Sequence, residues 1–138
     1  MRHITHDSCE AFTECREFAR SNSEVINYRG LRFTAGGSTY TENCMGYALF
    51  GNQIAMKHKD TLTLYDAKHR TRTTKDRLNG LLHWEVGNNF RIFQEKGEWF
   101  LTDGETTIQW RNGIEFNLVA ARLGASLAAQ LVIEIIKD

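Results

Sequence analysis

Proline is absent from all 138 residues, and only three cysteines occur. Without proline no chain reversal can draw on its fixed φ, so the turns must use glycine, asparagine and aspartate. Candidates are Gly36-Gly37, Gly51-Asn52, Gly87-Asn88-Asn89, Asp103-Gly104 and Asn112-Gly113. Cys9, Cys15 and Cys44 are too few and too irregularly spaced for a disulfide framework, and their odd number fits a reducing compartment. Net charge is missing too, because 17 basic side chains balance 17 acidic ones. No global field therefore draws the chain to nucleic acid or to an acidic membrane surface. The dinucleotide, phosphate-loop, zinc-protease and nucleophile-elbow motifs are all lacking. The opening Met-Arg-His-Ile-Thr-His-Asp has no apolar stretch of a secretory signal, which predicts an intracellular protein.

What remains is ordinary globular composition, with 41% hydrophobic and 25% charged residues. At this length folding buries roughly two thirds of the surface of the unfolded chain, enough for one core without staples. We expect a single α+β domain over 1–138. Phe12, Cys15, Phe18 and Ala19 recur at helical spacing after Asp7 and Glu10, which predicts a first helix at about Ser8 to Arg20. The polar run Ser21 to Glu24 ends it. Short β-rich runs follow at Leu31–Ala35, Tyr40–Leu49, Gln53–Lys57 and Thr61–Tyr65, separated at hairpin spacing. Thr73 or Thr74 then caps a short helix ending near Leu82, and Phe90–Gln94, Trp99–Thr102 and Thr106–Trp110 make a second β group. The expected sheet is antiparallel, with about six or seven strands.

From Phe116 to Asp138 the chain reads as one long apolar helix, because Arg122, Ser126, Gln130 and Glu134 recur every four positions amid apolar residues. Arg122 and Glu134 would each cost about 2.5–3.5 kcal/mol near a bilayer centre, which argues against a membrane span. The expectation is a helix packed on the sheet and shared in a homodimer, with Arg122, Gly124, Ala128, Leu131 and Ile135 at the interface.

The segment Tyr40 to Leu82 resembles that of short phage and mobile-element proteins with no assigned activity. Its features there are a strand entering through a tyrosine (Tyr40 or Tyr47), Ile54-Ala55 on the next strand, Leu62-Thr63-Leu64 on a third, and the helix start Thr73-Thr74-Lys75-Asp76-Arg77-Leu78-Asn79. The resemblance covers about a third of the chain. It implies a viral or mobile-element origin and the host cytoplasm as location, and it transfers no catalytic residue.

Charge is distributed in blocks. Lys68, Arg70, Arg72, Lys75 and Arg77 face only Asp76, whereas residues 85–115 carry six acids against three bases. The basic block could hold phosphates at the helix start. In the acidic half, Glu95, Glu98, Trp99, Asp103 and Glu105 combine carboxylates with aromatic area, a composition suited to docking on a basic protein surface. His3, His6, Cys9 and Cys15 have metal-ligand chemistry but lack a tight Cys-x-x-Cys knuckle, so no metal and no cofactor is expected. Cys44 with His58, His69 or His83 has nothing in sequence to orient it, so no catalytic residue is named and a non-enzymatic protein is expected. Three readings follow. The first is an accessory protein that binds and inhibits a host defence protein, anti-CRISPR action being its most concrete form. The second is a nucleic-acid-binding regulator using 68–77. The third is an oligomeric pocket sequestering a nucleotide signal.

Overall fold

The computed structural model describes residues 2–87 and 89–131. In chain order the elements are α1 (His3–Thr13), β1 (Phe18–Arg20), β2 (Ser23–Ala35), β3 (Ser38–Leu49), β4 (Asn52–His58), β5 (Thr61–Leu64), α2 (Arg72–Glu85), β6 (Arg91–Glu95), β7 (Glu98–Thr102), β8 (Thr107–Gln109), β9 (Ile114–Asn117) and α3 (Leu118–Arg122). Residues 127–131 are again helical. The class is α+β and all strand pairs are antiparallel. The strands divide into a six-stranded sheet in the order β1-β2-β3-β4-β5-β9 and a separate three-stranded sheet, β6-β7-β8. The second β group thus stands apart from the first, except that β9 returns to close its far edge.

The missing proline has the expected consequence at the hairpin tips. Gly36-Gly37, Phe50-Gly51 and Lys96-Gly97 each place both residues at positive φ, the geometry of the two-residue turns that suit twisted strands. The second of these is displaced by one residue from the expected Gly51-Asn52. Phe50 thereby takes a φ of 52°, a position that bulky residues rarely occupy.

Alternation along the strands puts Tyr47, Ala55, Leu64 and Ile114 on one face in register, with Leu62 and Phe116 beside them. All six are buried. This face meets Cys9, Ala11 and Phe12 of α1, Leu78, Leu81 and Leu82 of α2, and Ile92, Trp99 and Leu101 of the small sheet in one core. The two helices touch closely at Gly80, where an added Cβ would lie 2.6 Å from Thr5 Cγ2 and 2.9 Å from Cys9 Sγ. Asn79 on α2 then accepts from Ile92 N (2.6 Å) and donates to Ile92 O (3.0 Å), so its amide docks the outer edge of the small sheet as a neighbouring strand would.

Two helix expectations are corrected. α1 runs from His3 to Thr13, not from Ser8 to Arg20, because Cys15 turns left-handed at φ 55° and Phe18 enters β1. Its buried residues are Thr5, Ser8, Cys9, Ala11 and Phe12, a helical stripe built partly from small polar residues that a hydrophobic reading passes over. The long helix from Phe116 is not formed either. Phe116 belongs to β9, α3 ends at Arg122, and Gly124 at φ 80° reverses the chain before residues 127–131. The four-residue polar stripe therefore spans two helical pieces. Within it, Gln130 bonds both N and O of Asn117 at 2.9 and 3.0 Å, pinning the second piece to the free edge of β9. Residues 132–138, including Glu134 and Ile135, lie outside the described region.

Candidate functional site

The basic block is split by α2 itself. Thr71, not Thr73 or Thr74, caps the helix by accepting from Thr74 N at 3.2 Å. From that start the helical period turns Arg77 inward beside Leu78 and Leu81, and its side chain is 1% exposed. There its guanidinium reaches Asp76 Oδ2 at 2.8 Å and donates also to Thr5 Oγ1, Ser23 Oγ and Asn22 Oδ1. Thr5 bonds Asp76 in turn, and Ser8 of the same helix meets the Tyr47 hydroxyl at 2.7 Å. Arg77 is thus a buried connector of α1, α2 and the β1–β2 turn, satisfied at several donors as a buried charge must be. Sequence reasoning missed this role. A signal was present in the Leu78-x-x-Leu81-Leu82 spacing, which places residue 77 next to the buried stripe.

Lys68, Arg70 and Arg72 are exposed and Lys75 is half-buried. They surround a cavity of about 180 Å³ at the mouth of the β3–β4 turn, walled by Leu49, Phe50, Ile54 and Ala67 and closed at the α2 end by Thr71 and Thr74. Asp66 lines it as well and organises it. Its carboxylate accepts from Lys68 N (2.8 Å), Trp110 Nε1 (3.0 Å) and Arg70 Nε (3.1 Å). Burial alone would raise its pKa, but these three donors outweigh burial and hold it below the usual value.

The acidic residues separate in the same manner. Trp99 lies in the core, edge-on to Trp110 at 6.0 Å, and does not reach the surface. Asp103 is spent on backbone amides, accepting from Glu105, Thr106 and the helical start at Leu127 at 2.8–3.0 Å. Burial raises its pKa less than these amides lower it. Glu95, Glu98 and Glu105 remain exposed. Glu95 and Glu98 face each other across the β6–β7 hairpin, and next to them Phe93 and Phe100 stack at 5.5 Å. Glu98 takes a hydrogen bond from Gln109 at 3.2 Å, and Arg91 lies 5.1 Å from the Phe93 ring centre. The structure thus assembles a small face with a half-buried aromatic pair between like charges. Directly opposed carboxylates destabilise a hairpin slightly, and among the described residues no cation pairs with either one.

Of the residues expected at a dimer interface, Arg122, Gly124 and Ala128 are exposed, Arg122 lying 3.6 Å from Asp60, while Leu131 packs on the core and Ile135 is not described. Cys9 is buried and its thiol pKa is pushed up to about 12 by burial, which makes it inert, whereas Cys15 is exposed. Among the described residues no group of three His, Cys, Asp or Glu is placed to hold a metal ion, and no helix is long and apolar enough to cross a membrane.

Fold and surfaces together define a small α+β protein whose distinguishing parts are a basic-rimmed cavity and an acidic-aromatic face. A family model described as Kyanoviridae Gp96 protein matches residues 1–117, and the chain belongs to that family of phage proteins. No curated protein and no solved structure matches it.

Proposed function

We propose that this phage protein is a non-enzymatic accessory factor that binds a basic surface of a host or defence protein and blocks it, with anti-CRISPR inhibition as its most concrete form. The observation that carries the reading is the outward face of the small sheet. Its stacked Phe93 and Phe100 offer apolar area, and the opposed Glu95 and Glu98 offer negative charge that a cationic partner would neutralise. Glu105 on the neighbouring turn widens the acidic rim.

The test is capture from host lysate by the tagged protein, repeated with Glu95→Lys plus Glu98→Lys. Capture of a basic protein by the unaltered chain, lost in the double variant and retained in Arg70→Ala plus Arg72→Ala, supports the reading. Equal capture by both variants overturns it. A second reading, a nucleic-acid-binding regulator, draws on the exposure of Lys68, Arg70 and Arg72 along one edge. Salt-dependent retention of DNA or RNA that fails in the Arg70/Arg72 variant would favour it.

A further inference from the structure

The cavity beside the basic run has a chemistry that partner binding at the small sheet leaves unused. Its volume of about 180 Å³ slightly exceeds the ~150 Å³ of a cavity that takes a benzene ring, so one substituted ring fits. Leu49 and Ile54 form its floor and are nearly fully buried. The Phe50 ring forms a wall and is 67% exposed, on a backbone whose φ of 52° is held by Phe50 N donating to Asn22 O at 2.8 Å. A bulky aromatic kept outside the core at an unfavourable φ stabilises nothing that the fold itself shows.

The polar component is Arg70. Its Nε is engaged by Asp66 at 3.1 Å, and Asp66 is held in turn by Lys68 N and Trp110 Nε1, so the guanidinium is fixed at the cavity edge. The side chain is still 43% exposed, and its two terminal nitrogens have no partner among the described residues. A guanidinium oriented through Nε, with both terminal nitrogens available, matches the two oxygens of a carboxylate or phosphate.

We propose that this cavity binds a small ring-bearing anion, the ring seated between Phe50 and the Leu49–Ile54 floor and its carboxylate or phosphate paired with Arg70. An aromatic carboxylate and a pyrimidine nucleotide share this chemistry. Amide resonances followed by NMR during titration with benzoate, uridine 5′-monophosphate and inorganic phosphate test it. The expected result is saturable shifts at residues 49–52 and 66–74 with the ring-bearing anions, and weaker ones with phosphate alone. The tighter of benzoate and the nucleotide identifies which anionic group the site takes. Arg70→Ala and Arg70→Lys should each weaken binding at least about tenfold, as loss of a charged hydrogen-bonded pair does. Phe50→Ala should also weaken it without unfolding the protein, since that ring is mostly outside the core, and this variant keeps the test valid if Arg70→Ala loosens Asp66. No saturable shift at these amides up to about 10 mM ligand, or phosphate alone binding as tightly as the ring-bearing anions, would overturn the proposal.

Discussion

The two charged blocks, residues 68–77 and 85–115, look like mirror images in sequence, and both are sorted by the fold into an outer and an inner set. In the basic block Lys68, Arg70 and Arg72 stay outside while Arg77 is enclosed; in the acidic block Glu95, Glu98 and Glu105 stay outside while Asp103 is consumed by backbone amides. Glu85 also belongs to the inner set, its carboxylate 2.7 Å from Lys57 Nζ, with both side chains largely buried and Thr13 adding a bond at 2.9 Å. The inner charges connect elements that are distant in sequence. The outer charges are left for ligands and partners. Runs of charge are therefore a poor guide to a surface until the helical or strand period has been applied to each member.

Substitutions can break this division, and the inner set should respond most. Arg77→Met is expected to lower unfolding stability by about 3–5 kcal/mol, because Asp76 and Thr5 lose their partner inside the fold, while polyanion retention per folded molecule stays unchanged. Urea denaturation combined with heparin chromatography checks both halves. Next comes Asp66→Asn, expected to cost about 1.5–3 kcal/mol at neutral pH through its weakened bonds to Arg70 and Trp110.

The pH dependence of that difference is a separate prediction. Because Asp66 has a lowered pKa in the folded state, its contribution is fully present above the unfolded value of about 4 and is lost as pH falls through the folded one. The gap between the unaltered chain and Asp66→Asn should therefore close in acid, as thermal melts at descending pH would show. A gap that persists below about pH 2 would mean that packing, not charge, explains the loss. Asp103→Asn should cost less, about 0.5–2 kcal/mol, in the range of a lost helix cap, and should loosen the start at Leu127 first, visible as faster amide exchange there. Smallest of all, Glu95→Gln with Glu98→Gln should change stability by less than about 0.5 kcal/mol and yet abolish partner capture. A large stability loss in that pair would place these carboxylates in the inner set and dissolve the contrast.

Much of the strand pattern was legible because alternation and turn chemistry are local. Tyr40 to Leu49, Gln53 to Lys57 and Thr61 to Tyr65 fall on β3, β4 and β5 within a residue or two, and so do the three strands of the small sheet. The helices were less legible. Thr5 and Ser8 are buried in α1 only because Asp76 and Tyr47 receive their hydroxyls, and neither partner is near in sequence. Phe116 carries an apolar side chain that suits a helix or a strand equally, and pairing with Leu62 of β5 decided the matter. At the candidate surfaces, the chemistry of Glu95, Glu98 and Arg70 could be read directly, but the aromatic stack beside the first two and the cavity beside the third could not.

By itself the sequence determined the α+β class, the antiparallel hairpins, the glycine-based reversals that replace proline, and the two blocks of opposite charge. These depend on residues at most a few positions apart, where steric and periodic preferences act. Only the tertiary structure decided that the strands form two sheets, that Gln130 and Asn79 seal strand edges, and which charges point inward. Each of those outcomes rests on a contact between residues 13 to 72 positions apart, and the free energy of such contacts has no local signature.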